Sequence, residues 1–428
     1  MGRPDLRFRE LPPTAGLPLR WADLFGPAPP GGAQAFARDT AAFLDVEALL
    51  PVCSGTAALV VALTTLRQAS RRRRVVVPAF TCPLVALAVA QCGLELVPCD
   101  LVPGGLDMAP DALARLLDSD TLAVLPTHLA GRVADVPQVL ALARAAGAWV
   151  IEDAAQAFGA RTSRGAVGAE GDIGLFSLAV GKGLTLYEGG LLHARDAALR
   201  QALHQTAAAL LRRDPWLEAL RCAQLAGTAA LYRPGLLPLA YGLPLRAALR
   251  SGDAVGAVGD RFTGPVPLHA LGGWRQRVGA RALPRLPGFL AEAARRAERW
   301  RALLAGVEGL HIFDDRPGEQ GTWPVLLLRM PDRASQARAM AALWTSGLGV
   351  SRLFIHALPD YAELRGMVPP VPCPAAADLA ARTLTIGNSP WTTEADMRRI
   401  AAALRQAVRA EEMWDGPWPR AAKALRAA

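Results

Sequence analysis

The sequence has 428 residues, 52% of them apolar and 20% charged, a length and balance that suit a globular chain of two units, one large and one small. Its net charge of +9 is spread along the chain, the one dense run being Arg71–Arg74, read as a solvated loop. No helix joins a basic face to aromatic residues, which excludes nucleic acid as the expected partner.

The N-terminus carries Arg3, Asp5, Arg7, Arg9 and Glu10 and has no apolar signal core, so a cytoplasmic location is expected. From about residue 40 to 200, apolar residues at helical spacing alternate with short β-branched runs. This predicts helix 56–68, strand 75–77, helix 83–92, strand 95–99, helix 110–117, strand 122–126, helix 136–146, then strands at 149–151, 173–178 and 190–193. Strands separated by helices read as a largely parallel sheet covered on both faces. Residues 196–250 read as helices broken by Pro and Gly. Their most apolar part is cut by Arg233, Pro234, Pro238, Pro244 and Arg246, short of the ~18–20 apolar residues a membrane span needs. A long helix at 282–305, a strand at 324–328, a helix at 334–346, a strand at 350–355 and a final helix at 393–409 complete a smaller α+β unit. The expected division is an N-terminal segment 1–35, a large domain 36–270 and a small domain 271–428. The six cysteines (53, 82, 92, 99, 222 and 373) include no CxxC pair, so they are expected to be thiols and not a zinc site or a disulfide framework.

Of the 47 basic residues only Lys182 and Lys423 are lysines. A guanidinium stays protonated and cannot condense with an aldehyde, so a chain that uses Arg for nearly every cation singles out Lys182 as a chemical amine. Lys423 sits among Ala and Arg near the end and reads as a tail charge. Ser54-Gly55-Thr56 leaves a short strand and opens an apolar helix, which makes an anion site. Asp153 ends the strand at 149–151 and faces the crevice where active groups of parallel sheets collect. Ser177 closes the next strand, and Lys182 follows in the loop. Phosphate cup, strand-end carboxylate, hydroxyl and amine on successive strand ends are what pyridoxal phosphate requires. Competing motifs fail. A Walker loop would put Gly at 176 and Ser or Thr at 183, where Phe176 and Gly183 stand. Gly168 to Gly174 has the wrong spacing for a dinucleotide fingerprint, and neither a GxSxG elbow nor a metal-spaced His pair occurs.

Four blocks carry a resemblance: Ser54-Gly55-Thr56-Ala57-Ala58-Leu59, Pro126-Thr127-His128-Leu129-Ala130-Gly131, Glu152-Asp153-Ala154-Ala155-Gln156-Ala157, and Phe176-Ser177 to Lys182. Together they resemble the DegT/StrS sugar aminotransferases, over about 40–195 and again 280–410. The resemblance implies a fold type I α/β protein with a mostly parallel seven-stranded sheet in its large domain. It implies that Lys182 carries the cofactor through its amine, that Asp153 pairs with the pyridinium, that Gln156 lies on the ring-hydroxyl side, and that Gly55, Thr56 and Ser177 hold the phosphate. His128 is placed near the site. Cys82 stands where many relatives have an aromatic residue that stacks on the ring. In the loop that in relatives reaches the partner subunit's phosphate this chain has Gly259-Asp260-Arg261-Phe262, which makes Arg261 the candidate there.

The implied activity is transfer of an amino group, with glutamate the expected donor, to the keto group of a nucleotide-linked sugar, in making a polysaccharide or a glycosylated metabolite. Lys182 argues against the similar sugar dehydratases, which replace this lysine by histidine. A non-sugar ketone or an aminocyclitol as substrate, and an inactive cofactor-binding sensor or scaffold, are the alternatives. A homodimer is expected from the same resemblance. The apolar expansion at 200–250 is expected to serve packing.

Overall fold

The computed structural model describes residues 9–259 and 264–409. In chain order its strands are β1 (Leu50–Val52), β2 (Arg74–Pro78), β3 (Glu95–Cys99), β4 (Thr121–Val124), β5 (Trp149–Asp153), the hairpin β6 (Arg161–Thr162) and β7 (Gly165–Ala166), β8 (Ile173–Ser177), β9 (Gly190–Ala194), β10 (His311–Ile312), β11 (Val325–Arg329), β12 (Val350–Ser351) and β13 (Thr383–Gly387). Seven of them form one sheet in the order β1-β9-β8-β5-β4-β2-β3. Only β9 runs against its neighbours. The C-terminal ends of β1, β2, β4, β5 and β8 therefore share one edge, and this is the fold type I arrangement. Strands covered on both faces need unbroken apolar runs; Val75, Val76 and Val77 are fully buried. Helix Gly55–Ala69 buries ten of its fifteen residues, and Asp135 caps helix Val136–Ala145 by accepting from the Gln138 N–H at 3.3 Å. The arginine run is only partly a solvated loop. Arg72 donates to the Ala146 carbonyl at the end of that helix and to Thr121, and Arg74 opens β2.

The second sheet is antiparallel, ordered β10-β11-β13-β12. Helix Glu394–Arg409 turns Met397, Ile400, Ala401, Leu404 and Ala407 toward its core, the three-and-four spacing of an amphipathic helix. The strand expected at 350–355 stops at Ser351, because the Phe354 ring leaves the sheet to sit edge-on against Phe80, 5.3 Å between centroids. The central strand β13 and helix Pro374–Arg382 had no counterpart in the sequence reading. That helix takes its N-cap from a distant residue: both Asp100 carboxylate oxygens accept from it, at 3.1 Å from Ala375 N and 2.9 Å from Ala376 N. Helix Leu286–Leu304 runs from the core of the large sheet, where Leu286 is buried, to that of the small sheet, where Trp300 and Leu304 are buried. We propose that the passage between the two units falls along this helix.

The expansion at 200–250 folds as helices Ala197–Leu210, Pro215–Leu231 and Leu243–Arg250 with a π turn at Pro238–Gly242. Leu203, Leu225 and Leu245 are buried in the ordinary way, but part of its polarity is inverted. Glu218 and Arg221 turn inward to Arg275 and Glu188, while Trp216, Leu220, Leu239 and Leu243 face outward. No helix among the described residues is long and apolar enough to cross a membrane.

Candidate active site

A cavity of about 380 Å³ opens at the shared strand edge. Ser54, Gly55 and Thr56 reach it beyond β1, Thr81 and Cys82 beyond β2, Thr127 beyond β4, Asp153 from β5 with Gln156 after it, and Ser177 from β8 with Lys182 after it. The structure thus brings together seven of the residues expected from the sequence: Gly55, Thr56, Cys82, Asp153, Gln156, Ser177 and Lys182. Arg261 lies outside the described residues, as does Lys423.

The cup at β1 is built by a helix end. Ser54 Oγ accepts from Ala57 N at 3.0 Å, and the N–H groups of Gly55 and Thr56 precede the first intrahelical bond, so they point out of the positive end of the helix. A Cβ on Gly55 would stand 2.9 Å from the Ser177 Cβ; only glycine lets the end of β8 close on this helix. Alanine there should force the two apart. Overpacking of this kind costs about 1–3 kcal/mol, so Gly55→Ala is expected to weaken pyridoxal phosphate retention by roughly tenfold, read by equilibrium dialysis, with the thermal midpoint much less affected.

Glu152 and Asp153 are consecutive on β5, so they face opposite sides of the sheet. Glu152 is locked inside the fold: it accepts from Gly168 N at 2.8 Å, Glu170 N at 2.6 Å, Gly171 N and His128 Nε2 at 3.2 Å. Burial opposes its charge, but His128 and these N–H groups hold its carboxyl below the ordinary range. His128 Nδ1 accepts from Ala134 N at 3.0 Å, which puts the ring proton on Nε2, the donor to Glu152. The His128 ring is thus engaged within the fold and does not line the cavity; its backbone N–H, 3.0 Å from the Asp153 carbonyl, steadies the end of β5.

Asp153 faces the cavity at 5% exposure, with Oδ1 accepting from Ala155 N at 3.0 Å. Burial pushes its carboxyl up; the Ala155 N–H and the positive charge of Lys182 pull it partly back. Lys182 lies between Gly181 and Gly183, both in the left-handed region at φ 81° and 68°, where a side chain would be strained. Gln156 Oε1 accepts from Ala130 N at 2.7 Å, leaving its Nε2 end as the donor for a ligand. Pyridoxal phosphate fits this set. The helix end and hydroxyls suit its phosphate, Lys182 its aldehyde, and Asp153, whose charge burial disfavours, gains the partner it needs from a protonated ring nitrogen.

Several lining residues were not singled out from the sequence. Thr81 and Thr127 sit at strand ends, where the rule for parallel sheets would have flagged them. Gly264 to Pro267 had no such signal. They are placed by Gln91, which exchanges two hydrogen bonds with Val266, of 2.7 and 3.2 Å, and with Leu59, Val85 and Leu87 they make one end of the cavity apolar. Glu188 lines the wall and is bound by Arg221 of the expansion, Nε to Oε2 2.6 Å. Among the described residues no aromatic side chain lines the cavity.

The family model described as DegT/DnrJ/EryC1/StrS aminotransferase family matches residues 30–214 and 276–405. The chain is similar to the L-glutamine:2-deoxy-scyllo-inosose aminotransferase of Micromonospora echinospora, 38% identical over 190 residues, 43% of this chain and 44% of that protein. It is also similar to the UDP-N-acetyl-3-dehydro-alpha-D-glucosamine 3-aminotransferase of Acidithiobacillus ferrooxidans, 38% identical over 151 residues, 35% of this chain and 41% of that protein. The chain thus spans less than half the length of these curated relatives. A solved structure of a putative sugar aminotransferase of Streptococcus pneumoniae in its PMP form superimposes with a TM-score of 0.69, covering 92% of this chain and 94% of that one at 15% identity, a likeness of fold. The chain belongs to the DegT/DnrJ/EryC1/StrS aminotransferase family.

Proposed function

We propose that the protein moves an amino group from glutamate to the keto group of a nucleotide-linked sugar, in making a polysaccharide or a glycosylated metabolite. The observation that carries the reading is the pairing of a primary amine, Lys182, with a buried carboxylate, Asp153, in one cavity beside a helix N-terminus. When bound, pyridoxal phosphate supplies an electron sink for breaking the carbon–hydrogen bond next to the donor's amine. Lys182 Nζ is the group that would take that proton and return it to the carbon on the other side of the amine nitrogen, a role its position after β8 allows. Asp153 keeps the ring nitrogen protonated. Gly55, Thr56 and Ser177 hold the phosphate, and Gln156 orients the ring through the end of its amide that Ala130 does not use. The donor leaves before the acceptor binds, so ping-pong kinetics are expected.

The sugar acceptor is supported by the relative named for a UDP-linked keto sugar. The relative named for an inosose supports a cyclitol ketone as the second reading. A homodimer is part of the proposal, because the outward apolar face of the expansion needs a cover. The test is a pair of half-reactions followed by visible absorption. Glutamate should bleach the band of the loaded protein, and a nucleotide-linked keto sugar should restore it. Restoration by a keto-inositol alone would transfer the assignment to cyclitols, and a spectrum unmoved by any amino donor would reject transamination.

A further inference from the structure

Residues 10–17 form a strap that touches both sheets. Gly16 pairs with Gly183 as a parallel bridge, and Leu17 N donates to the Gly183 carbonyl at 2.6 Å, one residue past Lys182. On the other side Ala15 N donates to Pro324 O at 2.8 Å, just before β11, and Leu11 N to Gly347 O at 2.9 Å, just before β12. Leu11, Ala15 and Leu17 are buried. Glycines let the strap lie backbone on backbone. A Cβ on Gly16 would come 3.1 Å from Gly181 Cα, one on Gly181 would come 2.0 Å from Thr14 Oγ1, and one on Gly387 would come 2.2 Å from Pro12 O. Tyr232, at the end of the expansion, donates its hydroxyl to the Thr14 carbonyl at 3.3 Å.

We propose that Thr14–Leu17 are positioning residues for Lys182: they add a strand to the two glycines that flank it and tie its height in the cavity to the position of the small sheet. Gly181 and Gly183 could not hold the amine alone, since glycine is the residue least able to fix its own backbone. The strap supplies the fixation from outside the loop, and it reaches the small sheet within a few residues. A misplacement of about 1 Å at such a group can change a rate on the order of a hundredfold. The proposal rests on the transaminase reading only for why the amine matters, not for where it is held.

The chain itself supplies the test, because Lys182 and Lys423 are its only lysines. Reductive methylation of cofactor-free, full-length protein across a pH series, followed by peptide mass mapping, reads the reactivity of Lys182 with Lys423 as reference. Gly16 is not in the left-handed region, so Gly16→Ala introduces only the contact with Gly181. It is expected to move the pH midpoint of Lys182 labelling by about one unit, a tenfold change in neutral amine, with Lys423 unmoved. Tyr232→Phe, which removes one hydroxyl outside the cavity, should move it less and in the same direction, and decides the matter if Gly16→Ala does not fold. Leu113→Ala, in a core cluster of the large sheet that the strap does not enter, is the control for lost stability and should leave the midpoint in place. A Lys182 midpoint unchanged in folded Gly16→Ala and in Tyr232→Phe, or one moved equally by Leu113→Ala, overturns the proposal. Failure of the transaminase reading would appear instead as absent amino transfer with these labelling shifts intact.

Discussion

Protein carrying Lys182→Ala is expected to hold pyridoxal phosphate without a covalent link and to lose amino transfer by a factor on the order of 10⁴, the upper range for removal of a positioned acid–base group. The reason is chemical before it is structural. Lys182 is half-buried in a loop between two glycines, outside every helix and strand, so the fold should persist with a thermal midpoint close to that of the wild type. Lys182→Arg should be as inactive as the alanine variant, because a guanidinium keeps its proton and its planar nitrogen cannot condense with the aldehyde. Borohydride reduction of the loaded wild type followed by digestion should place the cofactor on the peptide containing residue 182. A label on the peptide containing Lys423 would refute the assignment.

Asp153→Asn is expected to act in opposite directions on function and on the cofactor-free fold. With cofactor, the loss of the negative partner of the ring nitrogen should lower turnover by about 10²–10³, the range for removing one electrostatic group aimed at developing charge. Without cofactor, burial has already pushed the carboxyl of Asp153 above its ordinary value of 3.8. The folded protein therefore holds that proton more tightly than the unfolded chain. The sign follows from linkage: this residue's contribution is most favourable below the ordinary value and is lost as pH rises through the raised one. Asparagine has no such slope. At neutral pH the cofactor-free variant should melt no lower than wild type, and the order should reverse when both are saturated with pyridoxal phosphate. A cofactor-free variant that melts well below wild type would show that Asp153 is held by partners other than the cofactor.

The site was legible in the sequence because its groups sit at strand ends, and strand ends can be read from short apolar runs. Glu152 and Asp153 also show how far such reading goes: the alternation along a strand says that one faces in and one faces out, and the Ser54, Ser177 and Lys182 ends say which side is the cavity. His128 was harder. Its neighbours in the chain are at a strand end, yet its ring is turned away by the Ala134 N–H, a contact no periodicity reveals. The same limit hid β13, five buried residues directly following a helix with no turn residue to mark where the strand begins, and the Asp100 cap on helix Pro374–Arg382, made across 275 residues. The expansion defeats the usual logic in part. Pattern reading sends charge outward, whereas Glu218 and Arg221 turn inward because Arg275 and Glu188 wait there for them.

The strap sets an order in time. Among the described residues β1, which carries the phosphate cup, pairs only with β9, so the cup must wait for residues 190–194 to be made. Leu11 and Ala15 must wait longer, for Gly347 and Pro324. A chain emerging from the ribosome would thus carry residues 11–15 undocked until the small sheet has formed, so that a stretch made before either sheet would settle after both. Contacts of such long sequence separation are slow to form, and in this protein the loop that presents Lys182 stays half-braced until they do.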